Sequence, residues 1–256
     1  MMLMTESKKT GCSACVGGTG LGFEITMAFQ PILDLSLGTV FAHEALVRGR
    51  DGESAATILA QVNEGNRYLF DQTCRVRAIN LAAKLGMTSA LSINFMPNAV
   101  YRPEHCIRTT LEAAQACGFP SNRIIFEITE GEKVDNPAHV RHIIEYYKRE
   151  GFLTAIDDFG AGYAGLSLLA DFRPDIVKLD MGLIRGIDTD RGRRAIVNGV
   201  LQVCFDLEIM PVAEGVETKA EVEVLRGLGI DLFQGYYFAK PAFESLAEVA
   251  AEKLTV

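Results

Sequence analysis

The chain has 256 residues, 48% of them apolar and 23% charged, and its 33 acidic side chains outnumber 25 Lys and Arg to give a net charge of −8. At roughly 100–200 residues per domain this is one large domain or two small ones, and about 250 residues is the usual length of an eight-stranded α/β barrel. Such a composition excludes disorder as the main state, and the acidic balance argues against nucleic-acid polymers, whose phosphates need a basic face. It leaves room for a small anionic ligand held through metal ions.

The N-terminus, Met1 to Lys9, puts its apolar residues ahead of its charges, the wrong order for a secretory signal. The longest uncharged stretch, Leu85 to Tyr101, is broken by Asn94, Pro97 and Asn98 and makes no bilayer span, so no membrane partner is expected. Isolated cysteines (Cys74, Cys106, Cys117, Cys204) suit buried thiols in a reducing cytosol, and a cytoplasmic location is the expectation. Cys12 and Cys15 form a CxxC in a glycine-rich leader, residues 1–22. With no second pair or nearby His, the leader reads as a flexible tail, metal or redox chemistry being the alternative.

From Phe23 onward short apolar runs alternate with longer amphipathic stretches. Strands are expected over Ile25–Leu35 and Val40–Val47, joined as an antiparallel hairpin by the turn Ser36–Thr39. Further strands are expected over Ala90–Ile93, Arg123–Ile128, Phe152–Ile156, Asp175–Val177, Ile209–Ala213 and Ile230–Phe233. Helical patterns cover Asp71–Leu85, Ile107–Cys117, His139–Glu150, Gly192–Phe205 and Lys219–Leu228, with Gly86, Gly118, Gly151 and Gly229 as their stops. This repetition, without a composition break, predicts one α/β domain over residues 23–256, and eight strands favour a closed barrel.

The strand ends carry the chemistry. Glu44 lies near the end of the second run, Asn94 ends the third and Glu127 the fourth, Asp157 and Asp158 the fifth. Lys178, Glu214 and Gln234 end the sixth, seventh and eighth. In a barrel these residues converge on the C-terminal rim, where catalytic groups sit. Five carboxylates so close cannot all stay ionised without cations between them. Oxygen-only ligands select hard ions, Mg²⁺ or Mn²⁺, and adjacent Asp157 and Asp158 suggest two of them with a bridging carboxylate. Two such ions are a standard arrangement for attack of water on a phosphodiester, and Lys178 could stabilise the charge that develops. A competing motif, Gly160-x-Gly162-x-x-Gly165, satisfies the dinucleotide fingerprint. Asp157 and Asp158 just before it would repel a pyrophosphate, and it follows the fifth parallel strand rather than opening the fold. A glycine-rich loop beside the metals is the better reading.

Glu44-Ala45-Leu46-Val47-Arg48 resembles the signature of the EAL-domain family, bacterial phosphodiesterases of cyclic di-GMP. The remaining motifs follow in order: Phe29-Gln30-Pro31-Ile32 before it, then Asn94, Phe126-Glu127-Ile128-Thr129-Glu130, Asp157-Asp158-Phe159-Gly160, Lys178-Leu179-Asp180, Ala213-Glu214-Gly215-Val216-Glu217-Thr218 and Gln234-Gly235-Tyr236. The resemblance implies a TIM-like (β/α)8 barrel whose first strand is antiparallel, in keeping with the opening hairpin. It implies Glu44, Asn94, Glu127 and Asp157 on one metal and Asp157, Asp158 and Glu214 on the other. Lys178 would touch the hydrolytic water, with Glu44 and Glu214 as its catalytic partners. Gln30, Leu46, Arg48, Gln234 and Pro241 would contact the substrate. Glu217 would support the metal shell and Glu130 would steady the loop after Asp158. Asp180 would orient Lys178 or the rim, with a purely structural role as the alternative.

The resemblance implies hydrolysis of cyclic di-GMP to linear pGpG with two divalent cations, in a homodimer. The rival is a catalytically weak domain that senses the nucleotide or docks a protein. No cyclase or sensor domain fits in residues 1–22, so a regulatory protein partner, oligomerisation or the leader is expected to supply control. Members of the family commonly carry a hydroxyl where this chain has Ala161, and Gly165 is expected to add backbone freedom there. Arg191, Arg193 and Arg194 read as a solvated face or a dimer contact. His43, His105, His139 and His142 lack paired metal spacing.

Overall fold

The computed structural model describes residues 21–100, 102–130, 136–162 and 165–254. Most of the leader, with Cys12 and Cys15, lies outside the described residues.

Two long strands open the fold, β1 (Ile25–Asp34) and β2 (Thr39–Gly49). They pair antiparallel over their whole length, and the turn between them is closed by Asp34, whose carboxylate accepts from the backbone N–H of Ser36 and Leu37. Six parallel strands follow: β3 (Ala90–Asn94), β4 (Ile124–Thr129), β5 (Leu153–Phe159), β6 (Ile176–Leu179), β7 (Met210–Ala213) and β8 (Leu232–Phe233). Each pairs with the next, and β8 pairs antiparallel with β1, which closes the sheet into an eight-stranded barrel. A short β9 (Ala242–Phe243) adds to β1. The architecture is the expected (β/α)8 barrel with an antiparallel first strand.

The helices occupy the expected intervals; four start earlier than their apolar periodicity indicates, and the last starts at Lys219 as expected. The helices Pro103–Cys117 and Pro137–Arg149 each begin on a proline, whose fixed φ and missing N–H suit the first helical position. Asn136 caps the second of them, accepting from His139 N–H. Gly118 takes φ 71° and closes its helix in the left-handed conformation. Short helices over Ala55–Leu59, Gly165–Phe172 and Met181–Ile184 lie where no periodicity announced them. Among the described residues no helix is long and apolar enough to cross a membrane.

One apolar ring fills the barrel floor: Ile32, Ala42, Ile125, Ala155, Ile176, Val212 and Leu232, all buried. Larger clusters lie between the barrel and its helices. The ring matters because side chains along a strand alternate with period two. The residue two positions further toward the rim therefore points inward again.

Candidate active site

Counting two residues from the apolar ring toward the rim gives a second layer that is polar throughout. It holds Glu44, Glu127, Asp157, Lys178, Glu214 and Gln234, together with Ser92, two residues past Ala90, and Gln30, which precedes Ile32 because β1 runs the other way. Register locks the layer: Gln30 and Ser92 flank Glu44, and Asn94 lies beside Glu127. Most of these residues are nearly inaccessible, Glu127 and Lys178 at 1%.

Lys178 stands at the centre. Its Nζ lies 2.8 Å from Glu214, 3.0 Å from Asp157, 3.0 Å from Glu127 and 3.3 Å from Glu44. Burial alone would lower its pKa, but these four carboxylates hold it well above the ordinary value. The acids divide: Asp157 stays below the carboxylate range despite burial because Lys178 donates to it. Glu127 is pushed up by burial to about 8, and burial carries Glu214 well above its usual value. Asp158, raised by burial and by Asp157, reaches about 6. One ammonium does not neutralise this many acids, so the cluster is short of positive charge.

Its oxygens fall into two sets, Glu44, Glu127 and Asp157, and Asp157, Asp158 and Glu214, each with oxygens within 4.8 Å of one another. Asp157 belongs to both. Carboxylate oxygens without His or Cys, deficient in positive charge and sharing one member, fit divalent cations of the hard type. Asn94 Nδ2 donates to Glu44 Oε1 at 2.9 Å, and Gln234 Nε2 donates to Glu44 Oε2 at 2.7 Å, which orients that carboxylate. Two clefts flank the cluster, and Glu44, Asp157 and Asp158 line both. One, about 350 Å³, is walled by apolar residues including Leu46, Leu59 and Phe70. The other, about 270 Å³, is polar and bordered by Gln30, Arg185, Glu217 and Tyr236.

The other expected site residues stand at varying distance from this centre. Glu130 accepts from Gly160 N–H at 2.6 Å and Gly165 N–H at 2.9 Å and so ties down both ends of the loop after Asp158. Asp180 caps the short helix Met181–Ile184 by accepting from Gly182 N–H at 2.8 Å. Glu217 pairs with Arg185 at the mouth of the polar cleft. Gln30 Nε2 donates to the carbonyl of Ala239 at 3.2 Å. Arg48 donates to the carbonyl of Val47 at 2.7 Å, and neither Arg48 nor Pro241 borders the two clefts.

One loop expectation needs revision. Gly165 is a packing requirement rather than added freedom, because a Cβ there would meet the Phe159 ring at 2.9 Å. Of the arginine run, Arg193 and Arg194 are partly exposed and donate to the carbonyls of Gly182, Ile187 and Asp188, bracing the segment after β6. Of the histidines, His43 meets Ser89, His139 the Val100 carbonyl, and His142 the Glu104 carboxylate.

Sequence reasoning missed Ser92, which donates to Glu127. Period-two counting from Ala90 finds it. Asp71 was missed as well; buried against Arg75, it accepts from Met96 N–H at 3.0 Å and so fixes the chain just past Asn94. Its signal was an acid among apolar residues on a core-facing helix.

The EAL domain family matches residues 21–241. A standalone, versatile EAL protein from Vibrio cholerae O395, solved in its c-di-GMP bound form, is 59% identical with a TM-score of 0.87, covering 90% of this chain and 97% of that one. BlrP1 from Klebsiella pneumoniae, solved as a manganese and cyclic di-GMP complex, is 35% identical with a TM-score of 0.84, covering 89% of this chain and 58% of that one. Two curated relatives from Escherichia coli K12 are the blue light- and temperature-regulated antirepressor BluF and the probable cyclic di-GMP phosphodiesterase PdeG. BluF is 32% identical over 87% of this chain and 56% of its own length, and PdeG 30% identical over 85% and 45%. The chain thus spans about half the length of these relatives. From the antiparallel first strand to the motif-bearing rim, it belongs to the EAL domain family.

Proposed function

We propose that this chain hydrolyses cyclic di-GMP to linear pGpG. The observation that carries the reading is the pair of carboxylate sets sharing Asp157 around Lys178, set between two clefts. The relation to PdeG, a probable cyclic di-GMP phosphodiesterase, and to the c-di-GMP-bound Vibrio cholerae protein supports the substrate. Glu44, Asn94, Glu127 and Asp157 would hold one divalent cation and Asp157, Asp158 and Glu214 a second, Mg²⁺ or Mn²⁺. Bound there, the cations would acidify a water and screen the phosphodiester's charge.

The reaction forms a P–O bond to the water oxygen and breaks one P–O3′ bond, and a proton from water ends on the leaving O3′. Lys178, kept protonated by its acids, would donate hydrogen bonds to oxygens that gain charge as the phosphate is attacked. Glu44 and Glu214 both pair with that ammonium, and Glu130 accepts from the N–H groups of Gly160 and Gly165 in the loop after Asp158. Leu46 would pack against one guanine in the apolar cleft; Gln30 and Gln234 would serve the polar one. Arg48 and Pro241 would contact the ligand, Glu217 would brace the shell, and Asp180 acts as a structural cap. We place the protein in the cytoplasm, as a homodimer controlled by a protein partner.

Turnover in H₂¹⁸O tests this: the new phosphomonoester of pGpG carries one ¹⁸O, and chelation of divalent cations abolishes its formation. A second reading, a nucleotide-sensing or protein-docking domain, draws on the relation to an antirepressor. Binding of cyclic di-GMP without labelled product would select it.

A further inference from the structure

Beyond the acidic centre, a buried carboxylate joins two rim segments. Glu221, in the first turn of the helix Lys219–Gly227, is 4% exposed. One of its oxygens accepts from Glu217 N–H at 2.9 Å and Thr218 N–H at 3.0 Å, in the segment after β7. Its other oxygen accepts from Gly186 N–H at 2.9 Å, in the segment after β6. A capping box needs only the bond to the N-cap residue, here Thr218. The reach to Gly186 is additional. Burial opposes the charge, yet the N–H groups of Glu217, Gly186 and Thr218 hold this carboxylate below the usual range.

Those two segments leave the barrel beside different parts of the centre. Lys178 stands in β6, and the segment after that strand runs from Asp180 through Arg185 to Gly186, while the one after β7 begins at Glu214. They touch elsewhere as well: Glu214 N–H donates to the Leu179 carbonyl at 3.1 Å, and Arg185 pairs with Glu217. Gly215, at φ 63°, lies so close that an added Cβ would run into Met181. We propose that Glu221 is a positioning residue that buckles these segments together and thereby sets Glu214 against Lys178 and beside Asp157 and Asp158. The catalytic consequence rests on the hydrolytic reading above; the geometric one does not.

Glu221→Gln keeps the size but exchanges one accepting oxygen for an N–H donor, so one segment is released. Supporting residues around metal centres typically cost ~10–100-fold when replaced, and that loss is expected in kcat for cyclic di-GMP, with KM unchanged. Mn²⁺ affinity without substrate, read by electron paramagnetic resonance, weakens by at least ~10-fold on the same grounds. Thr218→Ala removes the helix cap but leaves the reach to Gly186, and it holds kcat and Mn²⁺ affinity near wild type. Equal losses in both variants, or a folded Glu221→Gln protein with unchanged kcat and Mn²⁺ affinity, would overturn the proposal. Amide exchange in the wild type provides a test that needs no variant. The amides of Gly186, Glu217 and Thr218 are expected to be protected and to open together, and Gly186 exchanging like a free loop would also overturn it. If the wild type hydrolyses nothing, the functional reading fails alone, because Mn²⁺ affinity and amide exchange still judge the buckle.

Discussion

Glu44 and Glu127 stand inside strands with neighbours on both sides, Gln30 and Ser92 for the first, Asn94 and Ala155 for the second. Asp158 and Glu214 stand where the sheet breaks up, one at a β5 irregularity with φ 54° and the other just past β7. The first pair is buried and the second half-buried. Asp157 connects the two sides. The strand side is positioned by register, which ladder hydrogen bonds enforce. The rim side needs separate devices: left-handed backbone at Asp158, glycine against Met181, and the three-way hydrogen bonding of Glu221.

Substitutions at the junction should have the largest effect. Asp157→Ala removes the residue common to both sets, and Glu44→Ala removes a carboxylate of the strand-side set. Either should reduce pGpG formation by more than ~10²–10³-fold while the circular dichroism spectrum stays native. Turnover persisting in either variant would sink the site assignment. Lys178→Met comes next, because it leaves Glu44, Glu127, Asp157 and Glu214 facing one another. Removing one partner of a buried ionic cluster costs about 3–5 kcal/mol, to be read by urea unfolding in chelator. Unchanged stability would mean that the ammonium does not hold the acids together.

Gly215→Ala probes the rim side alone. A non-glycine residue forced to positive φ costs about 1–3 kcal/mol, and the Met181 contact adds to it. Activity should fall while the strand-side contacts, followed by NMR of Asn94, remain. The smallest effect is expected from Ala161→Thr, which restores the hydroxyl common in the family. Glu130 already holds Gly160 and Gly165 through their N–H groups. Exposed substitutions of this kind change folding stability by no more than about 0.5 kcal/mol, so the urea midpoint should barely move, and kcat is expected to stay near that of the parent chain.

The same division explains what the sequence made legible. Period-two alternation and the spacing of polar strand ends point to Glu44, Glu127, Asp157, Lys178, Glu214 and Gln234, since a strand converts sequence position into direction. The closed barrel follows from eight such runs and an opening hairpin. Glu221 was missed although Thr218-x-x-Glu221 is a readable cap, because a second function for that carboxylate depends on where Gly186 folds back. The carbonyl acceptors of Arg193 and Arg194 were not foreseen for the same reason: they lie in a segment whose path no local pattern reveals. Glycine in the loop after Asp158 suggested freedom, whereas the ring of Phe159 makes it a steric need.

The central claim is most directly tested by incubating the chain with cyclic di-GMP and Mn²⁺ and separating the products, beside an Asp157→Asn control. The account predicts complete conversion to pGpG by the wild type and none by the control. Tight binding of cyclic di-GMP by the wild type, with the ring left intact, would contradict it.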